Sequence, residues 1–143
     1  MSFNVRFPRF CRHEDIWLAN RVRDVVFTDY YDALVDLICL SDTSRLFVSL
    51  NKRVSSHAPA IEVYREDDEY RFEADVPIER ELEEEAKMEF ERRLPRGCRI
   101  TEVHYHIAEA HVHIKCDNIN RGDIIDIIET IKEVNRKYGV VKY

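Results

Sequence analysis

The sequence contains no glutamine, and only three of its 143 residues are glycine. It has no glycine-rich phosphate-binding loop, no GxGxxG nucleotide fingerprint and no GxSxG turn. The enzyme classes that depend on these motifs are therefore excluded. Glutamine has a thermolabile side-chain amide, and its absence together with 35% charged residues is typical of thermophiles. We therefore expect a thermophilic archaeal or viral source.

Long apolar runs are also missing. No run approaches the roughly 20 residues that a membrane-spanning helix needs, and the longest one, over 33–40, is interrupted by Asp36. The first ten residues, MSFNVRFPRF, lack the apolar segment of a secretory signal. We therefore expect a cytoplasmic protein that does not interact with membranes.

The four cysteines include no CxxC pair. This spacing argues against a zinc ribbon and against a disulfide scaffold. We expect Cys39 and Cys116 to be small core residues. Cys98 and Cys116 flank a predicted hairpin, where a bridge requires an organism that tolerates intracellular disulfides.

The N-terminal part of the chain is predicted to be helical after a short arm. Residues 1–12 are expected to be irregular, because Pro8 interrupts regular structure. Over 14–40, apolar residues recur at three- and four-residue spacing, which predicts a helix. The segment contains two helices if Thr28-Asp29 caps a second one.

The remainder alternates between strand and helix patterns and predicts an α+β fold. We predict strands over 45–50, 61–65, 70–76 (ended by Pro77), 99–107 and 110–116, helices over 79–94 and 123–138, a loop over 51–59 and a closing strand over 140–143. From Tyr70 onward this order is that of a ferredoxin-like split β-α-β core, an antiparallel sheet with helices on one face. We expect a single domain over 1–143, in which 1–44 form an N-terminal arm with helices and 45–143 form the α+β core. The N-terminal helices and first strands elaborate that core.

Four of the six histidines lie in one ten-residue stretch, 104–113, inside the predicted 99–116 hairpin. A two-residue turn at Ala108-Glu109 places His104 opposite His113 and His106 opposite His111. Directly opposed residues point to the same side of a sheet. The alternate apolar residues then face the helices, so the histidines lie on the open face.

Two carboxylates are predicted to lie beside these histidines. In a ferredoxin-like sheet, Glu73 and Asp75 would be next to His111 and His113. Imidazole and carboxylate groups bind divalent transition metals and also serve as general acids and bases. The predicted metal ligands are His104, His106, His111, His113 and Asp75, and the predicted catalytic residues are His111, His113 and Glu73.

The pattern leaves open whether the protein is an enzyme. The leading hypothesis is a nuclease-like, metal-assisted enzyme that acts on nucleic acid or another phosphoester, with a divalent metal ion of unknown identity as cofactor. The alternative is a non-enzymatic α+β module that forms a homo-oligomer, most simply a homodimer, or senses a ligand or metal. An open sheet face suits either role.

A second alternative rests on charge. The net charge of −6 argues against nucleic-acid binding by the whole surface. The first 12 residues, however, interleave three arginines with three phenylalanines, a pattern that can engage nucleic acid. Arg6, Arg9 and Arg12 are therefore the predicted contacts of a nucleic-acid-binding accessory protein. The same composition also fits two alternatives for residues 1–12, a disordered arm or a segment that packs on the rest of the protein.

Two short segments resemble known families. His111-Val112-His113, on a strand before a helix, resembles the paired-histidine motif of HUH endonucleases, the rolling-circle initiators and single-strand transposases. That resemblance implies a divalent metal and a DNA-attacking tyrosine, for which Tyr138 is the candidate. Tyr138 equally fits the buried stripe of its helix. Residues 104–143 look like the regulatory domain of nickel-responsive repressors, in which a histidine-bearing hairpin precedes a helix and a strand.

Overall fold

The computed structural model describes residues 1–51 and 57–140 and is a mixed α+β fold. Within these residues, three α-helices accompany one open seven-stranded sheet. The strands are β1 (Ser2–Arg6), β2 (Leu34–Cys39), β3 (Thr43–Ser49), β4 (Ala60–Glu66), β5 (Glu69–Glu79), β6 (Cys98–Tyr105) and β7 (Glu109–Ile119), and the helices are α1 (His13–Asp29), α2 (Glu83–Arg93) and α3 (Arg121–Tyr138). The strand order is β1-β2-β3-β4-β5-β7-β6, with β1 and β2 parallel and every other neighbouring pair antiparallel.

The core lies between the helices and one face of the sheet. On β7, Ala110, Val112 and Ile114 are fully buried, and they alternate with the less buried His111 and His113. In α3, Ile124, Ile127 and Ile128 and their neighbours form the matching apolar stripe. The helices therefore pack on the apolar face of the sheet and leave the histidine face open.

The prediction that residues 1–12 are irregular is wrong. Ser2–Arg6 forms β1, an edge strand that pairs in parallel with β2. Phe3 and Val5 pack against the core, whereas Asn4 and Arg6 are exposed. Pro8 does not prevent this strand, because it follows β1 and begins a short 3-10 turn.

The helix predicted over 14–40 ends at Asp29, and its last part is strand β2. Every second residue of β2, namely Val35, Leu37 and Cys39, is buried. Leu34 and Ile38 on the other side of β2 are also apolar, so the two-residue alternation is hidden in the sequence. Their spacing then imitates a helical pattern.

The other strands and helices predicted up to residue 138 are present with shifted ends. The hairpin of β4 and β5 buries Ile61, Val63, Phe72 and Ala74, as predicted. Pro77 does not end β5, which continues to Glu79. Beyond Asp75 the described part of β4 no longer pairs with β5, so a residue without an N–H is tolerated there. Two predictions fall partly outside the described residues. These are the closing strand, of which 141–143 are not described, and the loop over 51–59, of which 52–56 are not described.

The order β5-β7-β6 positions the histidine hairpin. Helix α2 connects β5 to β6, and β7 lies between these two strands and is antiparallel to both. On its other side β5 pairs with β4, so the hairpin belongs to the same sheet as β1–β4. The boundary predicted between residues 44 and 45 falls inside β3, and the sheet is continuous across it.

All four cysteines are in disulfides, so the expectation that a disulfide framework is unlikely is wrong. One bridge joins Cys11 to Cys39, and the other joins Cys98 to Cys116 across the β6–β7 pair. Cys39 and Cys116 are buried in the core, as expected. Strand pairing brings together cysteines that are 28 and 18 residues apart, which short-range spacing cannot reveal.

Among the described helices, none combines the length and the apolar character that crossing a membrane requires.

Candidate metal centre

The β6–β7 hairpin places its four histidines on the open face, but in a different register from the prediction. The turn is Ile107-Ala108, closed by a hydrogen bond from the His106 N–H to the Glu109 carbonyl at 2.8 Å. As a result His104 lies opposite His111. The shift is an even number of residues, so the face on which the side chains lie is unchanged.

The histidine rings pair diagonally across the hairpin. His104 and His113 have ring centroids 4.8 Å apart in an edge arrangement, and His106 and His111 have centroids 4.6 Å apart. Diagonal neighbours on a sheet are within reach of ring side chains. The contacts between rings are therefore the predicted ones, although the backbone pairing is not.

The register set by the turn brings a carboxylate, that of Glu102, into the cluster, and a β-bulge lies next to it at Thr101. Ile100 pairs with the core residue Ile114, and the next pair is Glu102 with His113. One extra residue in β6 therefore changes the side on which the following side chains lie. Because of this change, Glu102 and His104 face the open side although Ile100 packs against the core.

Glu102, His104 and His113 form a group that could hold a metal ion. One ligand atom from each lies within 4.8 Å of the others, and Glu102 Oε1 is 3.1 Å from His104 Nε2. Their side chains are 57%, 55% and 31% exposed, respectively. The hydrogen bond to His104, and then the positive charge of that ring, lower the pKa of Glu102 below its ordinary value.

Asp75 contacts two of the histidines, as predicted. It pairs with His113 across β5 and β7, and its Oδ2 is 3.8 Å from His113 Nε2. Its Oδ1 is 3.0 Å from His111 Nδ1. An ionised carboxylate only accepts hydrogen bonds, so His111 donates through Nδ1 in this contact.

Glu73, predicted as a catalytic residue, is separated from the histidines. It pairs with Lys115, whose Nζ is 3.3 Å from Glu73 Oε1. The predicted position on the open face is correct, but β7 puts a lysine opposite Glu73. Its catalytic role stays a prediction.

Besides Glu102, two residues that sequence reasoning missed, Glu109 and His57, extend the cluster. His57 Nδ1 contacts Glu109 Oε1. The Glu109 side chain is only 8% exposed, and its Oε2 is 3.7 Å from His111 Nε2. His57 belongs to a loop 52 residues away and has no periodic signal. Glu109 was assigned to the turn, so its burial was not predicted.

A groove of about 540 Å³ runs along the open face beside the cluster. Glu102 and His113 line its end at the cluster, and Arg99, Lys115 and Glu73 line it further along. The Arg99 and Lys115 side chains are 58% and 52% exposed, and their ion pairs with Asp117 and Glu73 lie at the surface. Such pairs are worth about 0–1 kcal/mol, so both cations are available to an anionic ligand.

The predicted N-terminal contacts and the candidate tyrosine lie elsewhere. Arg6 forms an ion pair with Asp36 at 2.8 Å, and Arg12 forms one with Asp68 at 2.6 Å. The Arg9 guanidinium stacks on the ring of Phe10. Tyr138 packs against the core at the end of α3, across the sheet from the histidines.

Comparison with protein-family models, with curated proteins and with solved structures finds no match to this chain.

Proposed function

We propose that the protein is a metal-dependent phosphoesterase whose ion is held by Glu102, His104 and His113. The observation that carries the proposal is the convergence of these three ligand groups within 4.8 Å on two neighbouring strands. Two histidines and one glutamate are a ligand set that catalytic zinc sites use, with the fourth position open to water or substrate. The high exposure of the three side chains leaves that position accessible.

The groove supports a phosphoester as the substrate. Arg99 and Lys115 line it together with Glu102 and His113, so a phosphate bound there would lie among cationic side chains and beside the residues that would hold the ion. A bound divalent ion polarises the phosphoryl group and lowers the pKa of its water. In the proposed hydrolysis the water oxygen bonds to phosphorus, the bond to the leaving oxygen breaks, and the leaving alcohol takes up the water proton. Glu73, which also lines the groove, is the proposed relay: it would accept this proton from the water and pass it to the leaving oxygen.

Metal binding is tested first, on protein prepared without a histidine tag. Apo protein is titrated with Zn²⁺, Mn²⁺ and Ni²⁺ by calorimetry, and bound metal is counted by mass spectrometry. We expect His104→Ala/His113→Ala to lose one ion per chain. His13→Ala, at an exposed histidine that begins α1, is the matched control and should bind as the wild type does. Equal metal content in the wild type and the double variant would contradict the proposal.

Activity is tested separately on bis-p-nitrophenyl phosphate and on a single-stranded oligonucleotide. We expect turnover that depends on added metal and that falls to the level of the blank in His104→Ala/His113→Ala. Arg99→Ala and Lys115→Ala should raise KM more than they lower kcat, because they bind the substrate anion. Metal binding without turnover on either substrate would refute the enzymatic role.

The non-enzymatic alternative is favoured by exposed apolar groups on the same hairpin. Ile107 at its tip is 99% exposed, and Tyr105 is 54% exposed. Such residues suit a homo-oligomer that assembles when the ion binds. Light scattering with and without metal would distinguish a sensing module, whose mass changes, from an enzyme, whose mass does not.

We propose that β5 to α3 form a ferredoxin-like core, since β5, α2, β6 and β7 have the split β-α-β order. A cytoplasmic location is compatible with two disulfides chiefly in hyperthermophiles, which agrees with the absence of glutamine. Nucleic-acid binding through Arg6, Arg9 and Arg12 stays a separate proposal, and Arg6 and Arg12 form surface ion pairs with Asp36 and Asp68.

A further inference from the structure

We propose a second cation site, formed by His57, Glu109 and His111 and oriented by Asp75, which takes a divalent transition-metal ion of the zinc class. Its ligands are distinct from Glu102, His104 and His113. It therefore goes beyond the proposed function and can exist whether or not the first site binds metal.

The burial of Glu109 is the first observation. Glu109 begins β7, and its side chain is only 8% exposed. Oε1 contacts His57 Nδ1, but Oε2 is buried without a hydrogen-bond partner among the described residues. A buried carboxylate is costly unless a positive charge or hydrogen bonds compensate it. The unpartnered oxygen is the kind of group that a cation would satisfy.

The orientation of His111 is the second observation. Its Nδ1 donates to Asp75 Oδ1 at 3.0 Å, so the neutral ring carries its lone pair on Nε2. That nitrogen lies 3.7 Å from Glu109 Oε2. In this tautomer the nitrogen and the oxygen are two acceptors that face each other. A positive species between them would relieve their repulsion.

The separation of these two atoms fits a metal ion. Zinc binds histidine nitrogen and carboxylate oxygen at about 2.0–2.2 Å in tetrahedral geometry, which places two ligand atoms of one ion roughly 3.3–3.6 Å apart. The 3.7 Å between His111 Nε2 and Glu109 Oε2 requires only a small closure. Mixed nitrogen and oxygen donors favour zinc-class ions over Mg²⁺ and Ca²⁺, which prefer oxygen alone.

Asp75 and His57 complete the arrangement. Histidines that bind metal usually donate their second N–H to a carboxylate, which holds the ring in place, and Asp75 makes this contact with His111. His57 already touches Glu109 and is 47% exposed, so its ring can turn to supply the third ligand. Asp75 is thus a positioning residue, and the fourth coordination position is left to water.

The test counts ions per chain in Zn²⁺-loaded, tag-free protein and follows Co²⁺ absorption as a report on tetrahedral geometry. We expect two ions in the wild type and one in Glu109→Gln, which keeps the side-chain shape and removes the charge. His57→Ala, at a half-exposed position, should also bind one ion and guards against misfolding of the Glu109 variant. His13→Ala is the matched histidine control and should bind two.

The two sites are distinguished by a crossed comparison. Glu102→Gln should lose the other ion and keep the one at Glu109, and the combined Glu102→Gln/Glu109→Gln variant should bind none. If Glu109→Gln and His57→Ala bind as many ions as the wild type with unchanged affinity, the second site is refuted while the first stands. If Glu102→Gln retains every ion and Glu109→Gln loses one, the second site stands and the proposed catalytic ion does not.

The role of Asp75 has its own readout. Asp75→Asn leaves all three proposed ligands in place, so we expect the ion to bind still, about 10–100-fold more weakly. The Co²⁺ spectrum should keep its tetrahedral form once the site is saturated. An unchanged affinity in Asp75→Asn would overturn the positioning role.

Discussion

Asp15 and Arg65 form an ion pair in which each side chain is only 1% exposed. Arg65 donates from Nε and Nη2 to the two carboxylate oxygens of Asp15 at 2.8 and 3.0 Å, and the Ser44 hydroxyl donates to Oδ1. Arg65 Nη1 donates in addition to the carbonyl oxygen of Asp67. The pair therefore attaches the first turn of α1 to β4 and to the turn that follows it.

Removing one partner of this pair should be strongly destabilising. We expect Asp15→Ala to lower the free energy of unfolding by about 3–5 kcal/mol, because Arg65 is left as an unpaired buried charge. The double variant Asp15→Leu/Arg65→Met should recover most of the loss. Urea denaturation measures both, with Asp24→Ala, at a surface ion pair, as the control. A loss below about 1 kcal/mol in Asp15→Ala would mean that the buried charge is solvated after all.

Tyr70 makes stability depend on pH in the alkaline range. Burial, and then the charge of Asp15, raise the pKa of the Tyr70 phenol above its ordinary value of 10.0. The positive charge of Arg65 lowers this pKa but does not cancel the rise. Above pH 10 the unfolded chain releases this proton while the folded protein keeps it, so stability falls as pH rises. Tyr70→Phe should flatten that fall, measured by urea denaturation at pH 8–10.5. Tyr31→Phe, at a tyrosine that is 87% exposed, is the control, and an equal slope in both variants would contradict the assignment.

The residues of the candidate site were only partly predictable. Alternation in a strand depends on parity, so the sequence could place the four histidines on one face despite the wrong turn. The neighbours Glu109 and His57 were not predictable, because one required the true turn and the other required a long-range loop contact. Glu102 has the parity of His104, so alternation alone could have placed it on the histidine face, but its position opposite His113 depended on the true turn.

Of the helices and strands, α3 is the one whose start and buried face are set most fully by its own sequence. The Asn120 side chain accepts a hydrogen bond from the Asp123 N–H at 2.8 Å, and the Asp123 side chain accepts one from the Asn120 N–H in return. This reciprocal capping satisfies N–H groups that the first turn of a helix leaves without partners. Pattern and cap agree here, which is why this helix could be predicted closely.

The cap of α3 can be tested with one substitution. Asn120→Ala should lower the free energy of unfolding by about 1 kcal/mol, since one N–H of the first turn loses its acceptor. Asp126→Ala, at an exposed position inside the same helix, should change it by less than about 0.5 kcal/mol. Chemical denaturation of the two variants makes the comparison, and equal effects would show that the cap contributes nothing specific.

Elements with ambiguous patterns were the ones predicted wrongly. β2 has apolar residues on both sides, so its sequence fits a helix as well as a strand. β1 is five residues long and exists only because β2 provides a parallel partner. Both cases were decided by contacts with distant parts of the chain, which local propensity does not contain.

For the molecule as a whole, the two disulfides connect elements that are distant in sequence. Cys11–Cys39 connects the segment before α1 to β2, and Cys98–Cys116 connects an edge strand to its neighbour. Each bridge lowers the conformational entropy of the unfolded chain and thereby stabilises the folded protein. The effect grows slowly with the number of residues in the closed loop. The strand order itself could not be deduced from the sequence, because it is set by which partners cover each apolar face.

Reduction should therefore destabilise the protein measurably. With sequence separations of 28 and 18 residues, the chain-entropy relation gives roughly 3 kcal/mol for each bridge. We expect Cys11→Ser/Cys39→Ser and Cys98→Ser/Cys116→Ser each to lose about this much in urea denaturation without reductant. The wild type in excess reductant should lose about the sum. No effect of reductant on wild-type stability would show that the bridges are absent in solution.

The bulge at Thr101 also bears on aggregation. β6 is the outermost strand at one end of the described sheet, and a straight, unpaired edge invites the strand of another molecule to add to it. The extra residue bends and twists β6, which interrupts the row of N–H and C=O groups that an incoming strand would need. The irregularity next to the Glu102–His113 pair thus discourages amyloid-like growth from this edge, and self-association should involve the open face or the hairpin tip.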